Sequence, residues 1–252
     1  MLFRDQTSGV LAISQLTHAW ISGLILRAWR DRLPEPLLLA AEQHDIGWLD
    51  WETAPSFNPQ TGRPHLFREI GAAMHAPMWM KGVERARAAW GAHVALLVLR
   101  HGGVIYRRYV DRQRVAEADA AAADQYLASQ AQVEHAWATM LRLDDETMRR
   151  ETALVAFADA LSLALCGDLK APLELEAPGR AGETVRLSLA EKPSAPFTFI
   201  LSPWPFGEDV LTFEGEARAL PAEGRFPDEA AMRRWLAAPQ RVAFQARLLS
   251  DR

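Results

Sequence analysis

Apolar residues recur three and four positions apart through most of the chain up to Cys166, and alternate singly with polar ones after it. The first period predicts helices, the second half-buried strands. Met1 to Arg4 and Val10 to Ile13 flank DQTSG and predict a small hairpin, followed by a helix over about Ser14 to Arg30 that puts His18 on one face with Gln15, Ser22 and Ile25. DRLPEP ends it. Leu37 to Asp45 predict one short helix, with Pro36 suiting its first turn and Gly47 a left-handed C-terminal position. Thr53 to Pro64 is a Pro-rich loop. Phe67 to Met74 extends a helical pattern up to His75, where Pro77 interrupts. Lys81 to Trp90 and Ala92 to His101 predict two helices parted near Gly91, with His101-Gly102-Gly103 as a stop. Arg112 to Leu143 predicts a long alanine-rich helix. Glu151 to Cys166 predicts the last strong one, apolar apart from a few residues that include Asp159.

Beyond Gly167, VRLSLAE, FTFILSPW, LTFEGEARAL and RVAFQARLLS predict strands and DEAAMRRWLAA a helix. This change of pattern places a boundary near residue 168. It predicts an all-α unit over 1–168 and a small antiparallel sheet with one helix over 169–252. No internal repeat is present.

With 252 residues, 49% of them hydrophobic, the chain can bury a substantial core. Its net charge of -4 excludes broad electrostatic binding to nucleic acid or an anionic membrane. Cys166 is the single cysteine, which rules out an intrachain disulfide or a CxxC zinc ribbon and fits a reducing, cytoplasmic compartment. The N-terminal MLFRDQTSGVLA lacks the basic and apolar regions of a signal peptide. The longest apolar run, Ala153 to Cys166, is too short to span a bilayer.

The candidate chemistry begins at LLLAAEQHDIGWLDW, where His44 and Asp45 stand side by side at the end of an apolar helix. Imidazole and carboxylate together suit a divalent transition metal, and both are costly to bury without a partner. His18, His75, His101 and Asp159 also sit in predicted helical segments, giving the order H, HD, H, H, D with each member on a separate segment. Gln15, one turn before His18, is a candidate substrate contact. Singly, each residue has an ordinary explanation as a hydrogen-bonded helix side chain. His93, eight residues before His101, could replace it or stand behind it, and His65 and His135 read as ordinary. Trp48, Trp51 and Trp79 either wall a pocket or pack the core.

That order and spacing resemble the HD-domain superfamily of metal-dependent phosphohydrolases, and in the H-HD-H-H-D form its two-metal members, among them cyclic-dinucleotide phosphodiesterases and diiron oxygenases. More specifically, QLTHAWISG, AAEQHDIGWLDWE, TGRPHLF, LLVLRHGG, ADALSLALC and SPWPF resemble an uncharacterised bacterial HD-like family of unknown function. The resemblance implies a mainly α fold, an HD-type helical bundle followed by a small C-terminal antiparallel α+β domain that covers the bundle or helps assemble a homodimer. It implies that His18, His44, Asp45 and Asp159 hold a first metal and that Asp45 bridges to a second held by His75 and His101. Iron, manganese, zinc, nickel and magnesium all remain open. Many relatives carry lysine three residues after the aspartate, where this chain has Trp48. Arg100, Arg107, Arg108 or Lys81 would then have to supply the missing charge, and Arg100 joins Asp45 and Gln15 as a candidate catalytic residue. The expected activity is metal-dependent hydrolysis of a small, phosphorylated substrate. The alternatives are a diiron oxygenase acting on a small polyol or phosphonate, and a non-catalytic metal- or ligand-binding module.

Overall fold

The computed structural model describes residues 1–238 and 240–251. A hairpin of β1 (Leu2–Gln6) and β2 (Gly9–Ile13) leads into α1 (Gln15–Arg27). The Ser14 side chain caps α1 by accepting the Thr17 N–H at 3.0 Å. Next come α2 (Glu35–Gln43), a 3-10 turn (Ile46–Trp48) and the short α3 (Leu49–Thr53). The two-residue strands β3 (Phe57–Asn58) and β4 (Arg63–Pro64) pair with each other. Four longer helices follow: α4 (Ala72–Trp90), α5 (Ala92–Tyr109), α6 (Glu117–Leu141) and α7 (Asp145–Leu165). The chain ends with β5 (Leu173–Pro178), β6 (Thr184–Glu191), β7 (Thr198–Ser202), β8 (Val210–Ala219), α8 (Glu229–Ala237) and β9 (Val242–Ser250).

The expected fold class, a mainly α HD-type bundle with a small antiparallel appendage, is overturned by the sheet. Seven strands in the order β1-β2-β8-β9-β7-β6-β5 form one curled sheet. It is mixed, because β7 runs parallel to β9. It also takes its first two strands from the N-terminal hairpin, with Leu11 of β2 opposite Ala219 of β8. The cause is the alternation itself. Leu211, Phe213 and Ala217 of β8 and Phe244, Ala246 and Leu248 of β9 face inward while their neighbours face out. That inner face and the paired Leu2 and Ile13 of the hairpin join Ile21 of α1 and Leu161 of α7 in one core cluster. The sheet therefore packs onto the helices that carry His18 and Asp159.

Three local expectations also change. Pro77 does not interrupt α4, since its lost hydrogen bond falls in the second turn and the buried His75, Ala76 and Trp79 hold the helix in place. Gly102 and Gly103 do not stop α5, which continues to Tyr109. They lie where α6 presses in, and a Cβ on Gly102 would stand 2.8 Å from the Tyr126 ring. Gly47 is not a left-handed cap. It lies against α4, where a Cβ on Gly82 would come within 2.7 Å of the Gly47 nitrogen. No helix among the described residues is long and apolar enough to cross a membrane.

Candidate metal centre

Five elements deliver the cluster. His18 lies one turn into α1. His44 caps α2 with still-helical backbone, and Asp45 leaves the helix at φ -101°, ψ 15°. His75, His101 and Asp159 come from α4, α5 and α7. All six are buried, and so is Gln15.

His18 Nε2 lies 2.7 Å from Asp45 Oδ2, and its Nδ1 lies 2.9 Å from Ser162 Oγ. Ser162 donates to the Asp159 carbonyl at 2.8 Å, so its oxygen is free to accept from His18 Nδ1–H. In that tautomer a proton or a cation must lie between His18 Nε2 and Asp45. His44 Nδ1–H donates to the Ala41 carbonyl at 2.8 Å, which leaves Nε2 facing 3.4 Å to Asp159 Oδ1 and 3.8 Å to Asp45 Oδ2 without a hydrogen bond. On the other side Asp159 Oδ2 lies 3.5 Å from His101 Nε2. Asp159 thus stands between His44 and His101, and Asp45 between His18 and His44.

The charges follow from this packing. Burial opposes a proton on His44, but the carboxylates of Asp45 and Asp159 outweigh it and raise the imidazole to about 9. Burial likewise pushes Asp45 upward, yet His44 and His18 hold it below the usual carboxylate range. Asp159 is held well below that range, against burial, by His101 and His44. His75 goes the other way: burial lowers it to about 4, and the Asp45 charge offsets only part of that.

His18, His44 and Asp159 each offer a ligand atom within 4.8 Å of one another. Among the described residues no second such group forms around His75. Its ring lies between Trp48 and Trp79, with centroids at 4.8 Å and 4.7 Å, and its Nδ1 lies 2.9 Å from the Tyr106 hydroxyl. Four buried atoms of these site residues have no hydrogen-bond partner: His44 Nε2, His75 Nε2, His101 Nδ1 and Gln15 Oε1. Each costs about 1–3 kcal/mol if left unsatisfied. Imidazole and carboxylate donors with orphaned buried nitrogens fit a divalent ion.

Gln15, His18, Asp45, His75, His101 and Asp159 all line one cavity of about 610 Å³. The Gln15 N–H donates to Glu52 at 3.0 Å. Arg100 does not line this cavity; it donates to Thr152 at 2.7 Å and pairs with Glu134. Arg107 reaches Gln130, and Lys81 pairs with Asp50. Arg108 does reach the cavity, at its exposed end. His93 is bound to Glu151 at 2.7 Å and His65 to Ser56 at 2.9 Å. Trp48 and Trp79 line the cavity; Trp51 packs behind Trp48. Sequence reasoning missed Ser162 and Tyr106, which hold His18 and His75. Ser162 stands three residues after Asp159, hence on the same helical face, and that spacing was the available signal.

One family model, described as "Protein of unknown function (DUF3891)", matches residues 1–222. No curated protein and no solved structure matches the chain.

Proposed function

The chain belongs to the DUF3891 family, whose matched span contains every residue of the cluster, and on that premise we propose that it is a metal-dependent hydrolase of a small phosphate ester. The observation that carries this reading is the buried His18–His44–Asp159 group, continuous with Asp45 and His101 and opening onto a substrate-sized cavity. The H, HD, H, H, D order supports it, although the bundle which that resemblance implied is not the fold.

A divalent ion held by His18, His44, Asp159 and Asp45 would supply a Lewis acid and a water acidic enough to attack near neutral pH. The chain's own groups prepare the rest. Ala41 orients His44 so that Nε2 faces the carboxylates, and Ser162 does the same for His18. His75, which lines the cavity, stays neutral at physiological pH with its buried Nε2 unpartnered, while Trp48 and Trp79 keep bulk water from its ring. The Gln15 amide oxygen, buried and unpartnered, can orient water or substrate at the cavity floor. The ester oxygen leaves with a proton as the alcohol, and phosphate is the second product. A lone buried thiol accords with the reducing cytoplasm we propose as the compartment.

The test is metal analysis of protein isolated without chelator, alongside a phosphate-ester panel. At least one tightly held equivalent per chain is expected, lost in His44→Ala and Asp159→Ala together with turnover. Protein without stoichiometric metal, or variants with unaltered metal content, would remove the reading. Iron with oxygen consumption and no ester turnover would replace it by an oxygenase.

A further inference from the structure

Most of the polar side chains lining the large cavity fall into two sets. The cluster residues and Gln15 are buried. Arg68, Arg108, Glu174, Glu176 and Arg186 are exposed and stand where the cavity meets solvent. Between them the wall is built largely from Ile70, Val104, Ile105, Leu163, Leu169 and Leu173. The one inner hydroxyl, that of Tyr106, is already engaged by His75. The charges at the mouth nearly balance: Arg108 lies 3.9 Å from Glu176, Arg68 pairs with Asp168, and Glu176 stands opposite Arg186 in the sheet.

A sugar, a polyol or a nucleoside carries several hydroxyls and ring heteroatoms, each of which needs a partner when buried. Apart from Tyr106, this wall offers only the Trp48 indole N–H and the exposed Tyr109 hydroxyl, the Trp79 N–H being given to the Val98 carbonyl, too few partners for a hydroxyl-rich body. A hydrocarbon body needs none and gains from every buried methylene.

We infer that the substrate of this site is a phosphate monoester of an apolar alcohol, its phosphoryl group at the buried cluster and its hydrocarbon body along the wall formed by Ile105, Leu163 and Leu173. The phosphoryl end of this assignment rests on the hydrolase reading; the apolar body rests on the wall alone. Hydrolysis then consumes one water, cleaves the bond between phosphorus and the ester oxygen, and releases the alcohol and inorganic phosphate.

The experiment separates the two parts. Calorimetry on the metal-loaded protein measures binding of two series with four to ten carbons, straight-chain alkyl phosphonates and the matching alcohols, and turnover of the matching phosphates is followed separately. Affinity in both series is expected to rise about threefold to fourfold per methylene until the cavity is full. Glycerol phosphate and ribose 5-phosphate are expected to turn over at least tenfold less efficiently than butyl and pentyl phosphate. Ile105→Ser and Leu173→Ser should flatten the dependence on chain length, and Val242→Ser, on β9 and outside the cavity lining, should leave it intact. Alcohols that keep this dependence while no phosphate turns over would remove the hydrolase and retain the apolar pocket. A flat dependence, or hydroxyl-rich esters turned over as well as alkyl ones, would overturn the inference even with the hydrolase established.

Discussion

Ser162 decides which nitrogen of His18 faces Asp45, because its own proton is committed to the Asp159 carbonyl and its oxygen can only accept. Ser162→Ala removes that orientation without adding volume. Partners of this kind are worth about tenfold to a hundredfold in metal affinity, so the variant should fold normally and bind metal weaker by that factor in a competition titration. An unchanged affinity would reduce Ser162 to packing. The metal-free cluster also has a definite response to pH. His44, raised to about 9, carries a proton at neutral pH in the place where a cation would sit between Asp159 and Asp45. Metal uptake at pH 7 should therefore release at least one proton, seen as a buffer-dependent heat in calorimetry, and affinity should climb as pH rises toward 9. In the absence of metal His44 and His75 bound the stability. The unfolded imidazole titrates near 6.5. The His44 contribution is complete below that value and is lost as pH rises through about 9. His75 is depressed to about 4, so in the window from about 6.5 down to 4 the unfolded chain binds the extra proton and stability falls with pH. Thermal melts of metal-free protein should thus be highest near pH 6.5 and decline on both sides. The six candidate ligands were legible as an order of residue types along predicted helices. Arg100, named as a source of the charge missing at Trp48, is engaged by Thr152 and Glu134 instead, because adjacent helical residues point about 100° apart and His101 is the one that faces the cluster.

Among the elements, α4 meets the turn after Asp45 backbone against backbone. Gly82 meets the Gly47 nitrogen with no room for a side chain, and the same helix carries His75 and Trp79. Gly82→Ala should force the two apart, at about 1–3 kcal/mol of stability by the usual cost of overpacking. It should also lower metal occupancy, because Asp45 sits two residues from the displaced backbone. Gly207→Ala, where an added Cβ meets nothing within 4 Å, is the control. Equal melting temperatures and metal content for the two variants would show that the joint is not tight. The helical period was readable in the sequence, and so were the Gly91 break and the strand alternation after Gly167. What a glycine does inside a helical pattern was not. Gly102 and Gly103 look locally like a stop, and only the face of α6 packed across them explains why the helix continues.

At the scale of the whole molecule the sheet ties the two ends of the chain together, a fact no local window contains. The hairpin of the first 13 residues was readable, but the pairing of Leu11 with Ala219 spans almost the whole chain and depends on which edge the folded helices leave open. A single core cluster runs from Leu2 through Leu161 to Leu248, so helices and sheet should unfold together. Cys166 offers a way to see this. It lies at the end of α7, fully buried, and burial pushes its thiol up to about 12. Neither exposure nor ionisation permits reaction in the native state at pH 8. Labelling of Cys166 by a thiol reagent along a urea series should follow the loss of helical circular dichroism and the loss of strand signal in the infrared, with one shared midpoint. Residues 1–168 expressed alone would present the faces of α1 and α7 that the sheet covers, and should be recovered aggregated or without a cooperative melt. A soluble fragment 1–168 with its own sharp transition, or labelling that precedes the loss of strands, would mean that the helices form an independent unit and that the sheet is only laid against them.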